Sequence, residues 1–223
     1  MTGQYVREHG VWSNDLSVDP EQVPSHVRNI RDAGYHTAQI GKTHLYMHGA
    51  VGPKHSDDRI PVLNAWGFEE THELHGPLAS ISNGSKYTDY LEQQGLLKTH
   101  REATKEYRDL WSAGKAKPWE EPACPLPTEA HLDSYTGRTA ADWIRSYKGE
   151  KPFYMQVLFP GPHDPFDSPQ EYRDMYDPKD MPVGTMEWPQ EPRPPYVEFV
   201  IKWSGLYDMT VEQKQILSTY YYA

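Results

Sequence analysis

The sequence predicts an α/β fold with a parallel sheet, and three observations carry that prediction. Between Pro24 and Leu45 the chain reads helix, glycine, strand, polar loop, which is half of a βαβ unit. Between Thr128 and Phe159 it reads a long amphipathic helix and then a continuous apolar run. At 223 residues, it is long enough to bury a core without disulfide support.

The elements follow in chain order. Residues 1–19, rich in Gly, Asn, Asp and Ser, read as loop and turn. Pro24 and Ser25 open a helix with Val27, Ile30 and Ala33 at helical spacing, and Gly34 is placed to end it. Tyr35–Ile40 alternates enough for a short strand closed by Gly41. Residues 45–85, punctuated by Gly52, Pro53, Pro61, Gly67, Gly76 and Pro77, read as irregular. A connection that long signals a functional surface or an insertion. Lys86–Gln94 and Arg101–Ala113 read as exposed helices, and 114–128 as a Pro-rich break. Thr128–Tyr147 is the clearest helix, with Thr128 as N-cap and Leu132, Tyr135, Ala140, Trp143, Ile144 and Tyr147 as its apolar set. Pro152–Phe159 (PFYMQVLF) suits a central strand buried on both faces. The turn PGPHDPF then stands at its carboxyl end, where open α/β sheets gather ligands. Residues 177–205 form another Pro-rich loop. A helix over Val211–Ala223, capped by Thr210, is still running where the sequence stops, as expected of part of a longer domain.

Composition narrows the function classes. Aromatic residues make up 13% and prolines number 20, a pattern of ordered loops rather than of a solvated tail. A formal charge of −10 disfavours nucleic acid and anionic lipid as bulk partners. It still allows a cationic pocket for a small anion. No apolar stretch is long enough to span a membrane, and MTGQYVREHG lacks the apolar segment of a signal peptide. The single cysteine, Cys124, forbids an internal disulfide.

Two segments carry candidate chemistry. In Gly41-Lys42-Thr43-His44-Leu45, Lys42 and His44 share a face if the segment is extended. An ammonium beside an imidazole suits an oxyanion and a proton transfer, although a solvated Lys and an incidental His give the same pattern. In Pro160-Gly161-Pro162-His163-Asp164-Pro165-Phe166, three prolines restrain His163, as a general acid or as a turn residue bonded to its own loop. His72 and His75 (H-x-x-H) read as a solvated loop, since no further ligand completes a metal site. Asp57-Asp58 reads as a charged turn, and Lys54 and His55 as weak anion contacts. Cys124 reads as an inert thiol and Tyr220–Tyr222 as core.

The order of these segments resembles the N-terminal catalytic domain of the formylglycine-dependent sulfatases, in the alkaline phosphatase superfamily. Thr2-Gly3-Gln4-Tyr5 with His9-Gly10-Val11 is similar to TGRYP…HGV. Ala33-Gly34-Tyr35 through Leu45 is similar to AGYxTxxIGKWHL, with Thr43 in the place of Trp. Lys151-Pro152-Phe153 through Phe166 is similar to KPFFLxxxFxxPHxPF. Residues 45–128 match no family motif and read as a loop and helical insertion.

The resemblance implies a partial alkaline-phosphatase-like mixed or parallel sheet flanked by helices, with residues 1–223 a partial catalytic domain cut at both ends. It implies that Lys42 contacts sulfate and the nucleophile's oxygen, and that His44 bonds the formylglycine hydrate. It also implies that His163 binds sulfate or protonates the leaving alcohol. These roles agree with what a sulfate ester requires: fixed cations and a proton donor. The family nucleophile motif C/S-x-P-x-R is expected upstream of Met1, and Cys124, in CPLPT, does not replace it. The resemblance implies a calcium ion, for which no ligand is identifiable in this chain. By itself the chain is expected to be inactive and to leave sheet edges unpaired. The implied substrate is a small-molecule or glycan sulfate ester, and the implied location periplasmic or secreted. Phosphodiesterases and phosphonate monoester hydrolases of the same superfamily are the alternative reading, and a non-catalytic product the third.

Overall fold

The structure, a computed structural model, describes residues 1–14, 16–46, 55–184, 193–204 and 209–223. The chain divides into two compact units, Met1–Leu97 with Leu132–Pro160 and Lys98–His131 with Gly161–Ala223.

The first unit holds the sheet. A short turn of helix, α1 (Val6–His9), precedes α2 (His26–Asp32). Ser25 caps α2 by accepting from the Arg28 amide, and Gly34 follows in the left-handed region at φ 99°. Strand β1 (His36–Gly41) comes next, as the spacing predicts. Between Ser56 and Ser80 the chain forms a 3₁₀ turn, α3 (Ile60–Trp66), β2 (Glu70–Glu73) and α4 (Pro77–Ser80). This corrects the expectation of an irregular 45–85. With four residues and only alternate burial, β2 is too short to leave a periodic signal, and its pairing with β1 supplies what its sequence lacks. Residues 47–54, including Lys54, lie outside the described part.

Helix α5 (Lys86–Gln93) is capped by Ser85, and α6 (Leu97–Ser112) leads into the second unit. Helix α7 (Leu132–Ser146) starts later than expected. Thr128 belongs to a separate 3₁₀ turn, Thr128–Ala130, so it does not cap the helix. Leu132, Tyr135 and Ala140 are buried, whereas Ile144 is exposed. Helix α7 packs on β1 and on β3 (Phe153–Leu158), with His36 stacked against Trp143 and Tyr147.

The described sheet is parallel in the order β2-β1-β3. Strand β1 is therefore the central, buried one, and Thr37, Ala38, Gln39 and Ile40 are almost fully covered. Strand β3 is an edge among the described residues, with Phe153 and the following Phe159 exposed. This corrects its expected burial on both faces. Behind β1, Val27 of α2 packs with Leu63 and Trp66 of α3, with Phe68 and with Tyr46. Each such side chain contributes about 1.5–3 kcal/mol by leaving water. Arg28 staples the cluster by donating to the carbonyls of Pro20, Val23 and Ala65.

The second unit is helical. It contains α8 (Gln170–Arg173), α9 (Pro195–Ser204) and α10 (Val211–Tyr222), so the expected loop 177–205 includes a helix. Helix α10 begins at the predicted cap, Thr210, which accepts from the Gln213 amide. Tyr221 and Tyr222 are exposed rather than core, and Tyr220 lies under the Arg173 guanidinium at 3.8 Å.

Candidate active site

The carboxyl end of β1 is shaped by close backbone approach. Gly41 has φ 113°, and a Cβ there would fall 2.0 Å from the Leu158 carbonyl oxygen. Only glycine lets β1 lie that close to β3 while the chain swings out. The Lys42 amide then donates to Leu158, and the Lys42 side chain crosses Gly76, whose missing Cβ would stand 2.8 Å from Nζ. His44 has φ 56°, the one left-handed residue other than glycine among the described residues. The extended geometry expected for Lys42–His44 thus breaks at His44. Strained backbone of this kind costs about 1–3 kcal/mol and persists where its surroundings hold it.

Glu73, at the end of β2, does the holding. Its Oε1 accepts from the Thr43 amide and hydroxyl, both at 3.1 Å, and from the Tyr46 hydroxyl at 2.8 Å. Burial pushes the Glu73 carboxyl up to about 7 against those bonds and the nearby Lys42 charge. The same burial, with the Glu73 charge, raises the Tyr46 phenol above its ordinary value. Arg59 lies over the Tyr46 ring at 4.6 Å.

Two residues beyond Glu73, His75 is 4% exposed, and neither ring nitrogen has a hydrogen-bond partner among the described residues. Burial lowers its pKa to about 4, helped by the charges of His55, Arg59 and Lys42. His72 is pushed to about 4 by burial and Lys86, and pairs with the Tyr135 hydroxyl at 3.0 Å. Both are neutral near pH 7. The H-x-x-H pair is therefore a strand and its extension, not the expected solvated loop. His55 bonds Asp89 at 3.3 Å and lies 3.7 Å from Asp57.

Lys42 and His44 fall in the first unit and His163 in the second. There His163, about half exposed, directs Nδ1 at the Asp164 carbonyl (2.8 Å) and at Asp164 Oδ1 (2.9 Å). The other carboxylate oxygen accepts from the Tyr107 hydroxyl at 3.2 Å. The bond from His163 holds the Asp164 carboxyl below its ordinary range. Tyr107, on α6, is 3% exposed, and burial and Asp164 raise its phenol. It lines a cleft of about 420 Å³ with Leu110, Lys115, Glu121, Pro165 and Asp167. Glu121 is pushed up to about 7 by burial and by Asp167.

Cys124, His131 and Asp167 bring ligand atoms within 4.8 Å of one another in this unit. Sulfur, imidazole and one carboxylate do not fit calcium, which takes six to eight oxygens. The Cys124 thiol instead bonds Asp167, and burial first, then Asp167, raises its pKa to about 12, which matches the expected inert cysteine.

Sequence reasoning did not single out Glu73, Tyr46, Asp164 or Tyr107. Asp164 sat inside a quoted motif and Glu73 inside H-x-x-H, both without a role; Tyr46 and Tyr107 lie in segments with no motif, and only the pairing of strands and helices reveals them.

A family model described as Sulfatase matches residues 1–223. An arylsulfatase of Clostridium perfringens is 27% identical over 192 residues, which is 84% of this chain and 37% of that protein. The Escherichia coli protein named uncharacterized sulfatase YidJ is 25% identical over 178 residues, 79% of this chain and 30% of its own length. The chain thus spans about a third of the curated relatives it matches. Two solved phosphonate monoester hydrolases share the fold. That of Agrobacterium radiobacter has a TM-score of 0.61 at 20% identity, over 99% of this chain and 44% of its own. That of Silicibacter pomeroyi has a TM-score of 0.57 at 19% identity, over the same 99% and 44%.

Proposed function

Since the chain belongs to the sulfatase family, we propose that the protein carrying it hydrolyses sulfate monoesters. The observation that supports this most is the family match along the whole chain, with the Lys42–His44 motif at the carboxyl end of the central strand. Lys42 neutralises sulfate oxygens as a fixed cation. His44 hydrogen-bonds the nucleophile's oxygen. His163 gives a proton to the bridging ester oxygen as its bond to sulfur breaks, and the alcohol leaves neutral. The family resemblance also implies a formylglycine nucleophile and a calcium ion, for covalent capture and charge neutralisation. The residues described here fit neither, so no step is derived through them. The substrate class is a small-molecule or glycan sulfate ester, and we place the protein in the periplasm or outside the cell.

The test is an assay of the full-length gene product on an aryl sulfate and, in parallel, on an aryl phosphonate monoester. Preference for the sulfate is expected. His163→Ala is expected to lose about 10²–10⁴-fold in kcat, the usual contribution of a positioned acid, and Lys42→Ala a comparable factor in kcat/KM. Unchanged turnover in both variants refutes the roles, and preference for the phosphonate refutes the substrate class.

A further inference from the structure

We propose that Asp164, held by the buried Tyr107 hydroxyl, is a positioning residue that fixes the orientation and protonation of His163. The inference rests on the general-acid reading of His163 and adds two residues that the family motifs do not assign.

The argument is one of donors and acceptors. His163 Nδ1 faces a backbone carbonyl at 2.8 Å and a carboxylate oxygen at 2.9 Å. Neither partner can donate while Asp164 is ionised, so Nδ1 must carry the proton. The neutral ring is thereby locked in one tautomer, with Nε2 as its acceptor nitrogen, and the charged ring carries its transferable proton on Nε2. A general acid needs one nitrogen anchored in this way, so that the ring's orientation and the place of its transferable proton are fixed. The carboxylate is in turn anchored, because its second oxygen accepts from Tyr107 at 3.2 Å. Tyr107 is buried on α6, so the anchor belongs to the body of the unit rather than to the exposed turn. The chain of bonds therefore runs from a rigid helix through a carboxylate to an imidazole.

The charges agree with the geometry. Asp164 is kept ionised first by the bond from His163 and also by the bond from Tyr107, despite partial burial. Glu121, coupled to Asp164, and Asp167, coupled to Tyr107, add negative charge from the neighbouring loop segments. An imidazole backed by a carboxylate favours its protonated form. Loss of the Asp164 charge lowers the pH at which His163 gives up its proton.

The test uses the full-length gene product with ring-labelled histidine, His163 being assigned from the spectrum of His163→Gln. In Asp164→Asn the His163 titration is expected to move down by about one pH unit, and the basic limb of kcat to move with it. In Tyr107→Phe, which keeps the ring and the carboxylate, a smaller movement in the same direction is expected, with KM unchanged. No movement of the titration in either variant overturns the proposal. A shifted titration with unaltered turnover upholds the positioning and counts instead against the general-acid assignment of His163.

Discussion

His75 and His163 place the same ring in opposite surroundings. His75 is buried at the end of β2, with no bonded partner among the described residues and with His55, Arg59 and Lys42 around it. His163 stands half in solvent with a carboxylate against Nδ1. The first environment removes charge from the imidazole, and the second supports it. The contrast separates a histidine that shapes the fold's response to pH from one equipped to pass a proton. It also shows why spacing alone misjudged His75 and left His163 open between two readings: H-x-x-H and PHDPF each name a histidine and say nothing of its neighbours.

The contrast is best broken by substituting His75. Its pKa falls from an ordinary 6.5 to about 4 on folding, so below pH 6.5 the unfolded chain binds the extra proton. Stability tied to this group is present above pH 6.5 and is lost as pH falls toward 4. The loss amounts to about 3 kcal/mol, from 1.36 kcal/mol per unit. His75→Phe removes that loss together with two buried unpartnered nitrogens. Between pH 7 and pH 4, denaturant melts should show the variant gaining about 3 kcal/mol on the parent. A constant difference across that range would mean that His75 is not the buried neutral ring described here.

Glu73 sharpens the comparison from the other side. Its pKa rises from 4.5 to about 7 on folding, so its contribution is whole below pH 4.5 and is lost as pH rises through 7. Two neighbours on one strand end therefore tilt stability in opposite directions and largely cancel between pH 4.5 and 6.5. Glu73→Gln should expose the His75 slope, gaining on the parent by up to about 3 kcal/mol as pH rises from 4.5 to 7. A variant that gains instead as pH falls would reverse the assignment.

Much of this frame was legible in the chain. The cap at Ser25, the glycines 34 and 41 and the strand between them leave local signals that no tertiary contact overrides. Lys42, His44 and His163 were legible as motif positions. Strand β2 was not, because a four-residue strand draws its stability from pairing with β1 rather than from its own composition. The exposure of β3 was not, because an apolar run reports the burial of a domain and β3 is paired on one side only among the described residues. Glu73, Tyr46 and Tyr107 became visible through partners 27 to 57 residues away along the chain.

The smallest expected effect is the most pointed. His163 is about half exposed and bonds its neighbour's oxygens at the surface, where contacts add little to the folded state. An exposed ion pair of this kind contributes at most about 1 kcal/mol. His163→Ala should therefore leave the denaturant midpoint within about 0.5 kcal/mol of the parent, as surface substitutions usually do, while turnover falls by orders of magnitude. That dissociation of stability from activity is the signature of a residue present for chemistry. A His163→Ala protein that loses several kcal/mol would place His163 among the structural histidines with His75.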